Sequence, residues 1–143
     1  MGAFLSATAI LNATRNEDIL SMAGFSRKSP AVAIIFTSSL FSLAGLPVFV
    51  GFISKFYLFN AVAVQGFLWV VGIAILASVI SLYYYLMVIR QLYIEPAAEA
   101  GLVHISKTTL LTLSLLFAGM VILGVYPDPL VSVIHSASEI LAY

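Results

Sequence analysis

The chain has 143 residues, of which 62% are hydrophobic and only 8% are charged, and its formal net charge at pH 7 is zero. Soluble domains carry about 25% charged residues, so this composition indicates a membrane protein and excludes a soluble enzyme fold. The recurring long apolar stretches predict an all-α, polytopic bundle of transmembrane helices. Because no basic run is present, nucleic acid is excluded as a partner, and the lipid bilayer is the expected surrounding.

The sequence has no cysteine, which excludes disulfides, thiolate-ligated zinc and iron–sulfur clusters in this chain. His104 lies in a polar link and His135 in the last segment, and neither has a second histidine or a cysteine at helical spacing. We therefore expect no metal site and no cofactor bound by this chain. The opening run lacks a basic segment and a clear cleavage site, so no signal peptide is predicted.

Short polar links divide the sequence into five segments of one transmembrane domain. Residues 1–13 are shorter than a span of about 20 residues and are interpreted as the end of a truncated, longer helix. Residues 30–64, 67–93 and 108–126 are each long enough to cross a bilayer. Residues 128–143 have apolar side chains on one helical face, which is typical of an interfacial helix. The same pattern would also suit packing on a neighbouring subunit.

The segment 30–64 is too long for one straight crossing, because at about 1.5 Å per residue it would far exceed a hydrocarbon core of about 30 Å. Its centre contains Gly45, Leu46 and Pro47, and proline removes a backbone hydrogen bond and disfavours helix at the preceding residue. We predict two half-helices, residues 30–46 and 47–64, joined by a break at Gly45, Leu46 and Pro47. Such breaks mark ion paths in transporters, although a proline kink or a tight hairpin remains an alternative.

Lys55 lies within the second half-helix, among apolar residues. A lysine at the bilayer centre costs about 2.5–3.5 kcal/mol on the insertion scale, which makes it a candidate functional group. Since low dielectric disfavours the charged form of lysine, this side chain is predicted to take up and release a proton. We expect Gly51, one turn earlier, to leave room beside the ammonium. No acidic residue lies in the apolar runs, so any partner is expected from elsewhere; a snorkelling lysine or a fixed ion pair is the alternative.

Serines near the predicted break are candidates for organising water. Ser78 and Ser81 lie on one face of the third apolar segment, the kind of small polar face that membrane helices turn toward neighbours. Ser42 lies just before the break. We interpret the tyrosines at 83–85 as an interfacial aromatic belt.

The basic residues other than Lys55 predict the topology of the chain in the membrane. With three crossings they all fall on or beside one side, which the positive-inside rule assigns to the cytoplasm, or to the matrix or stroma of an organelle. Lys55 alone departs from this distribution. The residues concerned are Arg15, Arg27, Lys28, Arg90 and Lys107.

Three stretches carry a resemblance to a known family: SLAGLP at 42–47, GFISKFYLF at 51–59 and SVISLYYYL at 78–86. Together they resemble the C-terminal part of the antiporter-like membrane subunits of respiratory complex I, and the N-type (mitochondrial subunit 2-like) among them. The M-type subunit typically has glutamate at the position of Lys55, and the L-type usually has aspartate where this chain has Phe56. Subunits of multisubunit cation/proton antiporters and membrane-bound hydrogenases share the Gly-Phe-x-x-Lys-Phe pattern and remain alternatives.

The resemblance implies a proton-translocating, non-redox subunit of an NADH:quinone oxidoreductase, with Lys55 in a proton channel. Flavin, iron–sulfur clusters and quinone are then expected in or at other subunits. The expected partners are the other membrane subunits, including an N-terminal portion that is either lost from a fragment or encoded separately. The expected location is the bacterial cytoplasmic membrane, or the mitochondrial inner or thylakoid membrane. A structural membrane subunit without a proton relay is the remaining alternative.

Overall fold

The computed structural model describes residues 1–14, 22–96, 105–129 and 131–133. These ranges are mostly helical and contain no strand, which confirms the expected all-α class. The helices in chain order are α1 (Gly2–Thr14), α2 (Phe25–Lys28), α3 (Pro30–Ala44), α4 (Val50–Val64), α5 (Leu68–Tyr93) and α6 (Lys107–Val125).

The buried side chains concentrate where α1, α2 and α3 meet, and Ile10, Phe25 and Val32 are fully buried there. In contrast, α4 has no buried residue, and α5 and α6 have one each, Leu92 and Leu113. The well-packed part of the bundle is therefore its α1–α3 side, and α4, α5 and α6 present most of their side chains outward.

The outward surface is strongly apolar. On α5 the exposed side chains include Trp69, Leu76 and Tyr83, which are 68%, 66% and 62% exposed. Soluble monomers rarely expose contiguous apolar areas of this kind. By length and composition, α5 and α6 are each long and apolar enough to cross a membrane. The fold is thus consistent with a transmembrane helical bundle.

Helices α3 and α4 have 15 residues each, or about 22 Å, so neither reaches across a hydrocarbon core of about 30 Å alone. Just before α3, the Gly24 N–H donates to the Gln91 carbonyl near the end of α5, at 3.2 Å. The other end of α3, at Ala44, lies near Ser78 of α5, because Lys55 bonds to both residues. Helix α3 is therefore antiparallel to α5.

The antiparallel arrangement of α3 and α5 distinguishes an interrupted helix from a helical hairpin. Had α4 folded back along α3, the short turn after α4 would have made α5 parallel to α3. Because α5 is antiparallel to α3, α3 and α4 follow one another along α5 and form one interrupted helix. The unwound part is residues 45–49, wider than the sequence suggested.

The remaining boundaries lie close to those expected from the sequence. Helix α5 begins at Leu68 and α6 covers Lys107–Val125, each shifted by one residue from the expected range. Of the predicted interfacial tail, residue 130 and residues 134–143 lie outside the described residues, as do His104 and His135.

Candidate functional site

A glycine ends α3. Gly45 adopts left-handed backbone angles, φ 86° and ψ 37°, and its N–H donates to the Ser42 carbonyl at 3.1 Å. The next N–H, from Leu46, donates to the Phe41 carbonyl at 3.0 Å. These bonds form a Schellman motif, which satisfies carbonyls at the end of a helix. The first half-helix therefore ends at Ala44, two residues earlier than expected, and the predicted break residues Gly45, Leu46 and Pro47 all lie in the unwound part.

The second half of the break brings the start of α4 against the end of α3. Val48 has a φ of 90°, the one positive φ outside glycine among the described residues, and a β-branched residue rarely adopts it. The Gly51 N–H donates to the Ser42 hydroxyl oxygen at 3.2 Å. A Cβ at Gly51 would collide with the Ser42 carbonyl oxygen. Gly51 thus permits this backbone approach, and the expectation that it makes room for the lysine ammonium was wrong.

Lys55 is held by the end of α3. Its side chain runs back toward the start of α4, the direction in which helical side chains tilt. The Nζ donates to the Ala44 carbonyl at 3.0 Å and to the Ser78 hydroxyl at 3.3 Å. Ala44 is the last residue of α3, so its carbonyl lacks an intrahelical partner and lies at the negative end of the helix dipole. A backbone carbonyl within this chain therefore holds the ammonium, and an acidic partner from elsewhere stays a prediction.

Gly45 also provides the space that the lysine occupies. A Cβ at this position would lie 2.9 Å from Cδ and 3.4 Å from Nζ of Lys55. The same glycine therefore ends α3 through its left-handed backbone and lets the ammonium approach that helix end.

Only one of the three candidate serines lies at the lysine. The Ser78 hydroxyl donates to the Ala74 carbonyl at 2.9 Å, which leaves its oxygen free to accept from Lys55. The Ser81 hydroxyl donates to its own helix, to the carbonyl of residue 77 at 2.9 Å. Ser42 accepts the N–H at the start of α4 instead. The structure thus brings Ser78 to Lys55, and leaves Ser81 and Ser42 with other partners.

The lysine borders a cavity of about 260 Å³ between α3, α4 and α5. Its walls are mainly apolar, with Phe52 and Phe56 from α4 and Ile75 from α5, and Ser78 and the lysine add polar groups. A water molecule occupies about 30 Å³ and needs two to four polar partners. The cavity has the size and the polar groups for water next to the ammonium, so a proton could pass between Nζ and water.

A second cavity of about 390 Å³ lies on the opposite side of the break, between α1, α3, α4 and α6. This cavity is larger, but Lys55 does not line it. Its lining residues nearest to the break are Ser42 and Val50. Within the described ranges, no group of three metal-ligating side chains comes together. The chemistry of the described site therefore centres on the smaller cavity.

Sequence reasoning missed the Ala44 carbonyl and the backbone of Val48. A signal for the first was present, because a glycine after an apolar helix is a common helix end, and the carbonyl before it is an acceptor. No pattern in the sequence indicates the positive φ of Val48.

The chain thus contains an interrupted helix with a lysine at its break, in a bundle with an apolar exterior. These features are those of a helical membrane protein that holds a basic group beside unwound backbone. Residues 1–81 match the family described as "NADH:quinone oxidoreductase/Mrp antiporter, TM". The chain belongs to this family, which confirms the resemblance noted in the sequence.

Curated relatives cover most of the chain. It is 37% identical over 131 residues to NADH-quinone oxidoreductase subunit N of Moorella thermoacetica, covering 91% of this chain and 28% of that protein. The subunit N of Heliobacterium modesticaldum is 38% identical over 99% of this chain and 30% of its own length. The subunit N 2 of Acidobacterium capsulatum is 44% identical over 135 residues, which cover 90% of this chain and 27% of that protein. The chain thus spans no more than 30% of the length of these relatives.

Proposed function

We propose that this chain is part of a proton-translocating membrane subunit of an NADH-quinone oxidoreductase, and that Lys55 relays protons in it. The family match and the names of the relatives support membership in such a complex. The relay role is supported by the site, since an ionisable residue within a membrane crossing is a functional candidate.

The position of the Lys55 ammonium is the observation that carries the proposal. Nζ lies 3.0 Å from the Ala44 carbonyl and 3.3 Å from the Ser78 hydroxyl, beside the smaller cavity. The carbonyl at the end of α3 and the serine hydroxyl hold the ammonium at this cavity. Water in the cavity would lie next to Nζ, where it can exchange a proton with the side chain.

In this proposal the chain carries no flavin, iron–sulfur cluster, nicotinamide or metal, and electron transfer takes place in other subunits. Its partners are the other membrane subunits of the complex, with the bilayer around them. The chain crosses the membrane three times, with the start of α3 on the cytoplasmic side. Because the relatives named above are bacterial, the bacterial cytoplasmic membrane is the proposed location.

A cation/proton antiporter subunit is the second candidate, because the description of the family also names the Mrp antiporter. An antiporter works without a redox module. Purification of the intact assembly therefore separates the two: flavin and iron–sulfur proteins in the complex support the oxidoreductase, and their absence with cation-dependent proton exchange supports the antiporter.

The test replaces the lysine in the full-length subunit within the assembled complex. Lys55→Met removes the charge, and Lys55→Arg keeps a guanidinium that stays protonated at working pH. Both variants are expected to assemble and to lower the number of protons translocated per electron. Lys107→Met, a matched loss of an exposed lysine at the start of α6, is expected to have no effect. Normal stoichiometry and rate in assembled Lys55→Met would refute the relay and leave a structural charge.

A further inference from the structure

Helix α6 touches the break through a glycine near its end. A Cβ built on Gly124 would collide with the Val48 carbonyl oxygen. The same Cβ would lie 2.7 Å from the carbonyl carbon of Phe49 and 2.7 Å from the amide nitrogen of Val50. All three are backbone atoms, so no rotation of a flexible side chain could make room for a methyl group.

Another glycine of the same helix shows that this contact is specific to one position. A Cβ on Gly119, five residues earlier in α6, would meet nothing within 4 Å. Glycine within a helix is destabilising relative to alanine. At Gly119 an added methyl has room, whereas at Gly124 the contact with the break leaves no room for it.

The contact falls on the strained part of the break. Val48 holds a φ of 90°, a strained conformation for a β-branched residue, which persists when its surroundings hold it in place. The first turn of α4 follows directly and begins at Val50. Lys55 lies on the next turn and must reach back to the Ala44 carbonyl. Any shift of the break therefore moves the first turn of α4, and the ammonium of Lys55 moves with it.

We propose that Gly124 is a positioning residue for Lys55: it seats α6 on the backbone of residues 48–50 and so sets where α4 begins relative to the end of α3. Gly124 itself contacts neither the lysine nor the cavity beside it. The proposal rests on the proposed relay function of Lys55. It assigns to α6 a role that its apolar sequence does not indicate.

The experiment compares Gly124→Ala with Gly119→Ala, both in the full-length subunit of the assembled complex. Gly124→Ala is expected to lower the protons translocated per electron toward the value of Lys55→Met. It is also expected to speed amide hydrogen exchange in the peptide that covers residues 45–52. Gly119→Ala is expected to change neither quantity. Equal losses in the two variants, or normal stoichiometry in assembled Gly124→Ala, would overturn the proposal.

A double variant shows whether the glycine acts through the lysine. If it does, Gly124→Ala combined with Lys55→Met loses no more stoichiometry than Lys55→Met alone, because effects on one unit are not additive. A further loss would contradict the proposal. Normal stoichiometry in Lys55→Met would instead refute the relay itself, so failure of the positioning role and failure of the proposed function give different results.

A second variant covers the case in which Gly124→Ala does not assemble. Val48→Gly removes the side chain that restricts the positive φ, so the backbone of the break can move away from the new methyl group. Assembly regained in the combined Val48→Gly, Gly124→Ala variant, with lowered stoichiometry, supports the proposal. Continued failure to assemble would show that the methyl group disrupts something other than the break, and would refute it.

Discussion

Gly45→Ala tests the double role of the glycine that ends α3. An alanine there must adopt a left-handed conformation, which costs about 1–2 kcal/mol. Its methyl group would also lie 2.9 Å from Cδ of Lys55. The lysine side chain is the part that can move, so the clash is relieved by withdrawing the ammonium from the Ala44 carbonyl. Loss of a hydrogen bond to a charged group adds about 1.5–3 kcal/mol.

Gly66→Ala is the matched control. Gly66 has nearly the same backbone conformation, with a φ of 84°, but a Cβ there would meet nothing within 4 Å. Its substitution therefore carries only the backbone penalty of about 1–2 kcal/mol. The difference between the two variants isolates the displacement of Lys55.

Two measurements on the purified complex separate the effects. The midpoint temperature at which this subunit dissociates is expected to fall in both variants, and further in Gly45→Ala. The protons translocated per electron are expected to fall only in Gly45→Ala. If Gly66→Ala lowered the stoichiometry equally, or if assembled Gly45→Ala translocated normally, the inferred contact between the glycine and the lysine would have no functional meaning.

Two further predictions concern the serine contact and the topology. Ser78→Ala removes one acceptor of Lys55 and is expected to slow proton translocation about fivefold, corresponding to a hydrogen bond of about 1 kcal/mol. Ser81→Ala, which removes only a bond within α5, is the control; equal slowing in both would contradict the assignment. Cysteines at Ser26 and Gln65, in a chain without native cysteine, are expected to react with impermeant thiol reagents from opposite sides of the membrane. Labelling of both from the same side would rule out the single interrupted crossing.

The amino-acid sequence by itself determined the class of the protein and the location of its unusual residue. With 62% hydrophobic residues and few charges, the long apolar runs leave no fold but membrane helices. The helix ranges follow from the same runs, since about 20 apolar residues are needed for a crossing. A lysine within such a run is conspicuous in any sequence, which is why Lys55 could be selected without a structure.

Tertiary structure alone decided what Lys55 contacts and which glycine serves which purpose. Every residue has a carbonyl, so no pattern of side chains marks the one at Ala44 as the acceptor. Gly45, Gly51 and Gly124 look equivalent in the sequence. In the structure Gly45 borders the lysine, Gly51 packs against the end of α3, and Gly124 packs against the backbone of the break. These differences arise because helices far apart in the chain pack together, and the distances between them are properties of the packed bundle and not of any local segment.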